Sequence, residues 1–293
     1  MRKLLIFAIV GFFAQLVDGS LGMAFGLTSS SLLLAYGVAP AVASASIHMS
    51  EIATTAASGF SHYKFGNVNK RMALLLAIPG AISAFVGAAF LSNIPGGLIK
   101  PYISSFLLLL GAYIFFRFLL TSRRQVDEVT SSSDGKLLKK RFLFPLGAIA
   151  GFFDAIGGGG WGPINTPILM ANKHTSPREV VGTVDTSEFI VTIAATAGFV
   201  LFLGWEQFNW FWVLAFVIGG VLAAPLAAWL VRIMPSYLLG VLVGGFIVLT
   251  NLNTLLKAGG VSGDISMGAY ILVAVIWIGG IIFSLRKNED GKA

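Results

Sequence analysis

The chain has 293 residues, of which 56% are hydrophobic and 11% charged. A soluble domain of that length needs far more charge to cover its surface, so a water-soluble fold is excluded. The formal net charge of +7 does not point to nucleic acid, because the excess lies between apolar runs and at the C-terminus, where retention of cytoplasmic loops accounts for it. With no cysteine, disulfides, metal thiolates and thiol redox centres are excluded too.

Apolar runs of about 20 residues, enough to cross a hydrocarbon core about 30 Å thick, recur along the chain. In chain order, a glycine-broken segment covers Leu4–Gly37. Spans follow at Ala41–His62, Ala73–Leu91 and Ile99–Leu120. The stretch Thr121–Arg141, with Arg123, Arg124, Lys136, Lys139, Lys140 and Arg141 around a serine-rich middle, has linker composition. A second broken segment, Phe142–Ala171, precedes spans at Arg178–Leu203, Phe208–Val231 and Tyr237–Lys257, and a last span covers Ser266–Leu285. The expected fold is all-α and polytopic.

The two halves resemble each other. Gly11, Phe12, Phe13, Gly19 and Gly22 match Gly151, Phe152, Phe153, Gly159 and Gly162 at a shift of 140 residue numbers. A slightly smaller shift brings Pro40 onto Pro177 and Ser50-Glu51 onto Ser187-Glu188; the first shift then returns for Gly80 and Gly220, Ala88 and Ala228, Pro95 and Pro235. The predicted organisation is therefore repeat 1 at 1–120, a basic linker at 121–141, repeat 2 at 142–257, and an extra helix and tail at 258–293. The apolar run after Met1-Arg2-Lys3 resembles a signal peptide, but its match in the second half makes it a structural element. The loop His62–Arg71 is basic whereas Gly204–Asn209 is not, and the later loops swap in the weaker sense (Lys100, Arg232). If basic loops are cytoplasmic, the repeats are inverted; Arg2 and Lys3 on the outer side count against that scheme.

Each broken segment reads as two pieces of about 15 residues, each too short to span comfortably. "DGSLG" interrupts the first and "GGGGWGP" the second. Non-helical backbone at membrane depth is tolerated where it is buried in protein or lines a wet cavity. Two half-helices meeting at such a turn present unpaired N–H groups and a positive dipole end, an anion site made of backbone. Pro163 suits the first turn of its half-helix. The expected substrate contacts are Asp18, Gly19, Ser20, Gly22 and Thr28 with Gly158, Gly159, Gly160, Trp161, Gly162, Asn165 and Thr166. Close helix packing through small residues is the competing reading.

The paired segments "DGSLGMAFG" and "GGGGWGPINTP", the repeat length and the closing helix resemble the TauE/SafE family over essentially the whole chain. That resemblance implies a multi-pass permease of the bacterial plasma membrane that moves a small anion such as sulfite or an organosulfonate, driven by an ion gradient.

Six ionisable residues fall inside predicted spans or breaks: Asp18, His48, Glu51, Asp154, Asp185 and Glu188. Acidic groups at mid-bilayer cost about 2.5–3.5 kcal/mol or more, so function is the default expectation. Ser44, His48, Glu51, Thr55, Ser58 and His62 form one stripe at helical spacing, and Asp185, Glu188, Thr192 and Thr196 form its counterpart. His48, Glu51, Asp154, Asp185 and Glu188 are candidates for proton coupling, against a purely structural hydrogen-bonding role. Trp205, Trp210 and Trp212 read as interfacial anchors, Arg117 as a snorkelling side chain, and His174 beside Lys173 as a loop residue. Two rivals remain: an intramembrane serine hydrolase pairing Ser20 with His48, and a cation transporter using Asp18, Glu51, Asp154, Asp185 and Glu188 as hard ligands. No nucleotide-binding motif appears, so an ATP-driven pump would need a motor partner. No cofactor is expected; the expected partners are a small anion and the lipid bilayer.

Inversion predicts that single thiols introduced at Gly66 and Gln207 react with a membrane-impermeant maleimide from opposite sides of intact cells or oriented vesicles. Labelling of both from one side contradicts it.

Overall fold

A computed structural model of the chain describes residues 2–120, 139–170, 177–230 and 236–290. The expectations placed on Arg123, Arg124, Lys136, Lys173, His174, Arg232 and Pro235 lie outside the described residues. All regular structure among the described residues is helical, in eleven α-helices and one 3-10 turn. The first half supplies α1 (Arg2–Leu21), α2 (Phe25–Ala35), α3 (Pro40–Lys64), α4 (Lys70–Ser92) and α5 (Gly96–Leu120). The second supplies α6 (Lys140–Gly157), α7 (Trp161–Met170), α8 (Pro177–Phe202), α9 (Trp210–Leu230) and α10 (Ser236–Ala258), and α11 (Gly263–Asp290) closes the chain.

Local signals place these helices. Pro40 and Pro177 are the first residues of α3 and α8, where a missing N–H is harmless. Asn69 and Asn209 precede α4 and α9, and each side chain accepts from a backbone amide three residues on, Met72 at 3.1 Å and Trp212 at 3.3 Å. Among the described residues, five stretches are long and apolar enough to cross a membrane: Lys70–Ser92, Gly96–Leu120, Glu179–Phe202, Gly240–Ala258 and Gly263–Arg286. α3 has the length but carries the polar stripe, and it lies at the centre, shielded by α8 and α9.

The packing is reciprocal. α1 lies along α9 as α6 lies along α4; α3 touches α9 as α8 touches α4; α3 pairs with α8 and α5 with α10. The same exchange reaches single residues. A methyl group added at Gly87 would meet Ala155 Cβ at 3.0 Å, and one at Gly19 would meet Ala227 Cβ at 2.8 Å. Gly80 lies against Trp161, and Gly220 against Phe25.

α11 stands apart. It packs mainly on α10, where Trp277 Nε1 donates to the Val241 carbonyl at 3.1 Å, and Leu272, Val275 and Ile278 on its outer side are exposed. A contiguous apolar face of this kind is the surface that lipid covers. Around the 3-10 turn Trp205–Gln207, Trp205 and Trp210 are exposed as interfacial anchors would be. Trp212 departs from that expectation: it is partly buried and packs its ring near Phe7.

Gly66 has φ +71°, a conformation that a cysteine strains, so exposed Lys64 is the better thiol position for the orientation test.

At Gly26 the backbones of the two halves meet directly. A methyl group there would meet Gly158 O and Gly159 Cα at 2.6 Å, both backbone atoms that cannot swing aside. Gly26→Ala is expected to destabilise by about 3 kcal/mol. Gly97→Ala, with open space around it, should be neutral or slightly stabilising. Thermal unfolding of both variants in detergent checks the contrast.

Candidate functional site at the helix breaks

Each break is built from an aspartate, a left-handed glycine and a new helix N-terminus. Asp18 lies in the last turn of α1, and Gly22 follows at φ +68° with its N–H on the Asp18 carbonyl at 2.6 Å. The Asp18 side chain then turns forward: Oδ1 accepts from Ala24 N at 2.6 Å and Phe25 N at 3.3 Å, capping α2. Asp154 does the same at the end of α6. Gly158 stands at φ +65° with its N–H on the Asp154 carbonyl at 2.7 Å, and Oδ1 accepts from Gly160 N at 2.6 Å and Trp161 N at 2.9 Å, capping α7. The unpaired donors that open a helix are thus taken by carboxylate oxygens of the preceding one, in charge-assisted bonds that also meet the positive dipole end.

The breaks touch. Ser30 Oγ donates to Gly158 O at 2.7 Å, and Thr166 Oγ1 donates to Gly22 O at 3.0 Å. Residues 18 and 154, 22 and 158, 25 and 161, and 30 and 166 occupy matching places, a shift of 136 residue numbers, one helical turn short of the 140 read from glycine identities. This corrects the expected match of Gly19 with Gly159 at the breaks: the carboxylates Asp18 and Asp154 correspond, and "DGS" is not the break. Asp18, Gly19 and Ser20 belong to α1, and the first turn is Gly22–Ala24. The pieces are also unequal, 20 and 11 residues in the first half and 18 and 10 in the second, because each aspartate keeps its own helix intact up to the glycine.

Of the expected substrate contacts, Gly22, Gly158, Gly159, Gly162 and Thr166 converge where the breaks cross. Gly159 lies on the Gly26–Leu27 backbone, and Gly162 on the Gly22 carbonyl. Gly160 and Trp161 supply amides to Asp154, and the buried Trp161 indole donates to Val184 O at 3.0 Å. Thr28 Oγ1 and both amide atoms of Asn165 are buried without a hydrogen-bond partner. Gly19 packs on Ala227, and Ser20 Oγ donates to Leu16 O at 2.6 Å. Sequence reasoning missed Ser30 and Gly26; the Ser29-Ser30-Ser31 run on a buried half-helix was the available signal. Beside the second break, a crevice too narrow for water has Ser30, Ser44 and Gly157 in its wall. Among the described residues, Gly22, Gly158, Gly159 and Gly162 at the crossing are all buried.

The charged residues meet just beneath. The α3 stripe and its α8 counterpart are buried along their facing sides. His48 Nδ1 lies 2.8 Å from the Ser44 carbonyl, which only accepts, so Nδ1 carries a hydrogen; Nε2 lies 3.2 Å from Asp154 Oδ2. That places the second ring nitrogen of His48 within hydrogen-bonding reach of the Asp154 carboxyl. Asp18, Asp185 and Glu188 each offer an oxygen within 4.8 Å of the others', and His62 Nε2 lies 4.0 Å from Asp185 Oδ2. Glu51 Oε2 is buried with no hydrogen-bond partner. The hydrolase reading finds no support in this geometry, because Ser20 and His48 are each committed to other partners. Arg117 bonds Tyr113 Oη at 3.0 Å and Met170 Sδ at 3.4 Å, at the far end of α7.

Asp154→Ala leaves two buried amides without an acceptor and is expected to destabilise by roughly 2–4 kcal/mol. Asp154→Asn keeps an oxygen on those amides and should lose clearly less. Equal losses in thermal unfolding would show that capping is not what Asp154 contributes.

The chain matches the family model described as "Sulfite exporter TauE/SafE" over residues 7–254. It is 54% identical over 287 residues, 98% of this chain and 94% of the relative, to the "Probable membrane transporter protein YtnM" of Bacillus subtilis (strain 168). A second relative, "Probable membrane transporter protein YdhB" of the same organism, is 30% identical over 146 residues, 50% of this chain and 56% of that protein. No solved structure matches. With a family model spanning both breaks and a relative covering nearly the whole chain, this protein belongs to the TauE/SafE family of multi-pass membrane transporters.

Proposed function

We propose that this transporter moves a small anion, sulfite, an organosulfonate or a related oxyanion, across the plasma membrane in exchange for, or together with, protons. One observation carries the reading: four break amides, those of Ala24, Phe25, Gly160 and Trp161, already hold carboxylate oxygens. The geometry that grips Oδ1 of an aspartate suits an oxygen of a substrate anion equally well. The two compete for one seat. A proton on Asp18 or Asp154 weakens its hold and removes the charge that repels the incoming anion. Loss of the proton restores the cap and favours release. His48, one proton away from Asp154, supplies or accepts that proton, and Glu51 and Glu188 stand behind it as further stations.

The chain in this proposal is a duplication, repeats 1–120 and 142–257 joined through 121–141, with 258–293 adding α11. The exchanged contacts of the two breaks, and of α4 with α6 as of α9 with α1, support it, as does the matched capping by Asn69 and Asn209. Inverted repeats place such breaks face to face at mid-membrane. A second reading, transport of a metal cation, draws on the grouped oxygens of Asp18, Asp185 and Glu188.

Flux into proteoliposomes tests the reading. Sulfite, sulfate and a sulfonate are offered with and without a pH gradient. At least one anion is expected to move faster with the gradient, and Asp154→Asn to slow that flux roughly tenfold or more. Indifference to pH gradients removes the coupling, absence of flux for every anion removes the substrate class, and flux of a divalent metal instead selects the second reading.

A further inference from the structure

The two break carboxylates face unlike surroundings. Asp154 meets His48, which brings its own positive charge. The shift of 137 that relates Pro40 to Pro177 and Glu51 to Glu188 puts Asp185 where the other half has His48. Asp18 therefore meets two more carboxylates, Asp185 and Glu188, with one oxygen from each within 4.8 Å. Side chains nearby differ in the same sense. Phe199, packed on the His48 ring with centroids 5.9 Å apart, has His62 as its counterpart. Ala195 and Gly151 have Ser58 and Gln15 as theirs.

Two further observations point to a missing ligand on this side. Apart from the Ser58 hydroxyl beside it, both oxygens of Asp185, 1% exposed, lack a hydrogen-bond partner. So do both amide atoms of Gln15, one turn before Asp18 and fully buried. Gln15 and Ser58 border the same spot: a methyl group at Gly19, next to Asp18, would lie 3.9 Å from Gln15 Nε2 and 3.7 Å from Ser58 Oγ. The one imidazole at hand, on His62, lies 4.0 Å from Asp185 and cannot balance three carboxylates. Buried like charges at this spacing are neutralised either by protons or by a bound cation. The donors are carboxylate, amide and hydroxyl oxygens, the set that suits a hard cation rather than a thiophilic one.

We propose that Asp18, Asp185 and Glu188, with Gln15 and Ser58 at the edge, bind one hard cation of the alkali or alkaline-earth class, filling the role that His48 fills beside Asp154. The cation holds the first break closed and leaves when the site opens. This cation binding does not depend on which solute, if any, the chain is found to carry.

The test reads binding by the full-length protein purified in detergent. Thermal unfolding midpoints are measured against sodium, magnesium and calcium chlorides, with choline chloride at matched ionic strength, and equilibrium dialysis with radioactive sodium or calcium gives the stoichiometry. One of the three cations is expected to raise the midpoint saturably and to bind once per chain. Gln15→Leu and Asp185→Asn should weaken that binding about tenfold or more. Asp185→His, which gives this half the pairing of the other, should abolish the cation response while unfolding no lower than the cation-free parent. Asp154→Asn should keep the response. The proposal is overturned if no cation acts beyond choline, since protons then neutralise the carboxylates. A response unchanged in Asp185→His, or lost equally in Asp154→Asn, overturns it as well. The flux assay reads movement of solute across a membrane and this one reads binding in detergent, so either experiment can fail alone.

Discussion

A helix broken inside a low-dielectric interior must find partners for the amides it exposes, and that demand organises the centre of this molecule. Two aspartates meet it, each reaching from the last turn of one helix to the first amides of the next. Placing carboxylates there is itself costly, since an isolated buried anion is far worse off than a neutral group. The cost is offset by the same amides, by the dipole of the short helix and, in one half, by His48. The short helices α2 and α7, the left-handed glycines before them and the polar faces of α3 and α8 all follow from keeping those charges paired.

In the proposed transport cycle that arrangement becomes a competition. A carboxylate seated on backbone amides is a built-in stand-in for an anionic solute. Whatever changes the charge of the stand-in changes access to the seat. Proton coupling as proposed needs no separate gate, because the titrating group and the occupying group are one side chain. On that proposal, the unlike partners of Asp18 and Asp154 give the two seats different triggers.

Much of the fold was legible from length and hydropathy, since spans such as Ile99–Leu120 sit within a few residues of the helices found. The polar stripe on α3 was legible too, because Ser44, His48, Glu51 and Ser58 recur at helical spacing and are indeed buried. The register of the breaks was not. Glycine identities favoured a shift of 140, whereas the aspartates, the left-handed glycines and the hydroxyls Ser30 and Thr166 agree on 136. A slip of one helical turn keeps the same face forward, so apolar patterning cannot detect it. Capping was hidden for a related reason. Asp18 and Asp154 bond to amides six and seven residues later, across a turn, and no local cap pattern has that spacing.

The crossed bonds from Ser30 to Gly158 and from Thr166 to Gly22 have a mechanical consequence. Each hydroxyl is anchored in one half and grasps the loop of the other, so a displacement of either loop tugs on its counterpart. Two parts latched in this manner behave as a single moving piece. Strain applied from one face of the bilayer would reach the opposite loop through two short linkages rather than through the whole bundle.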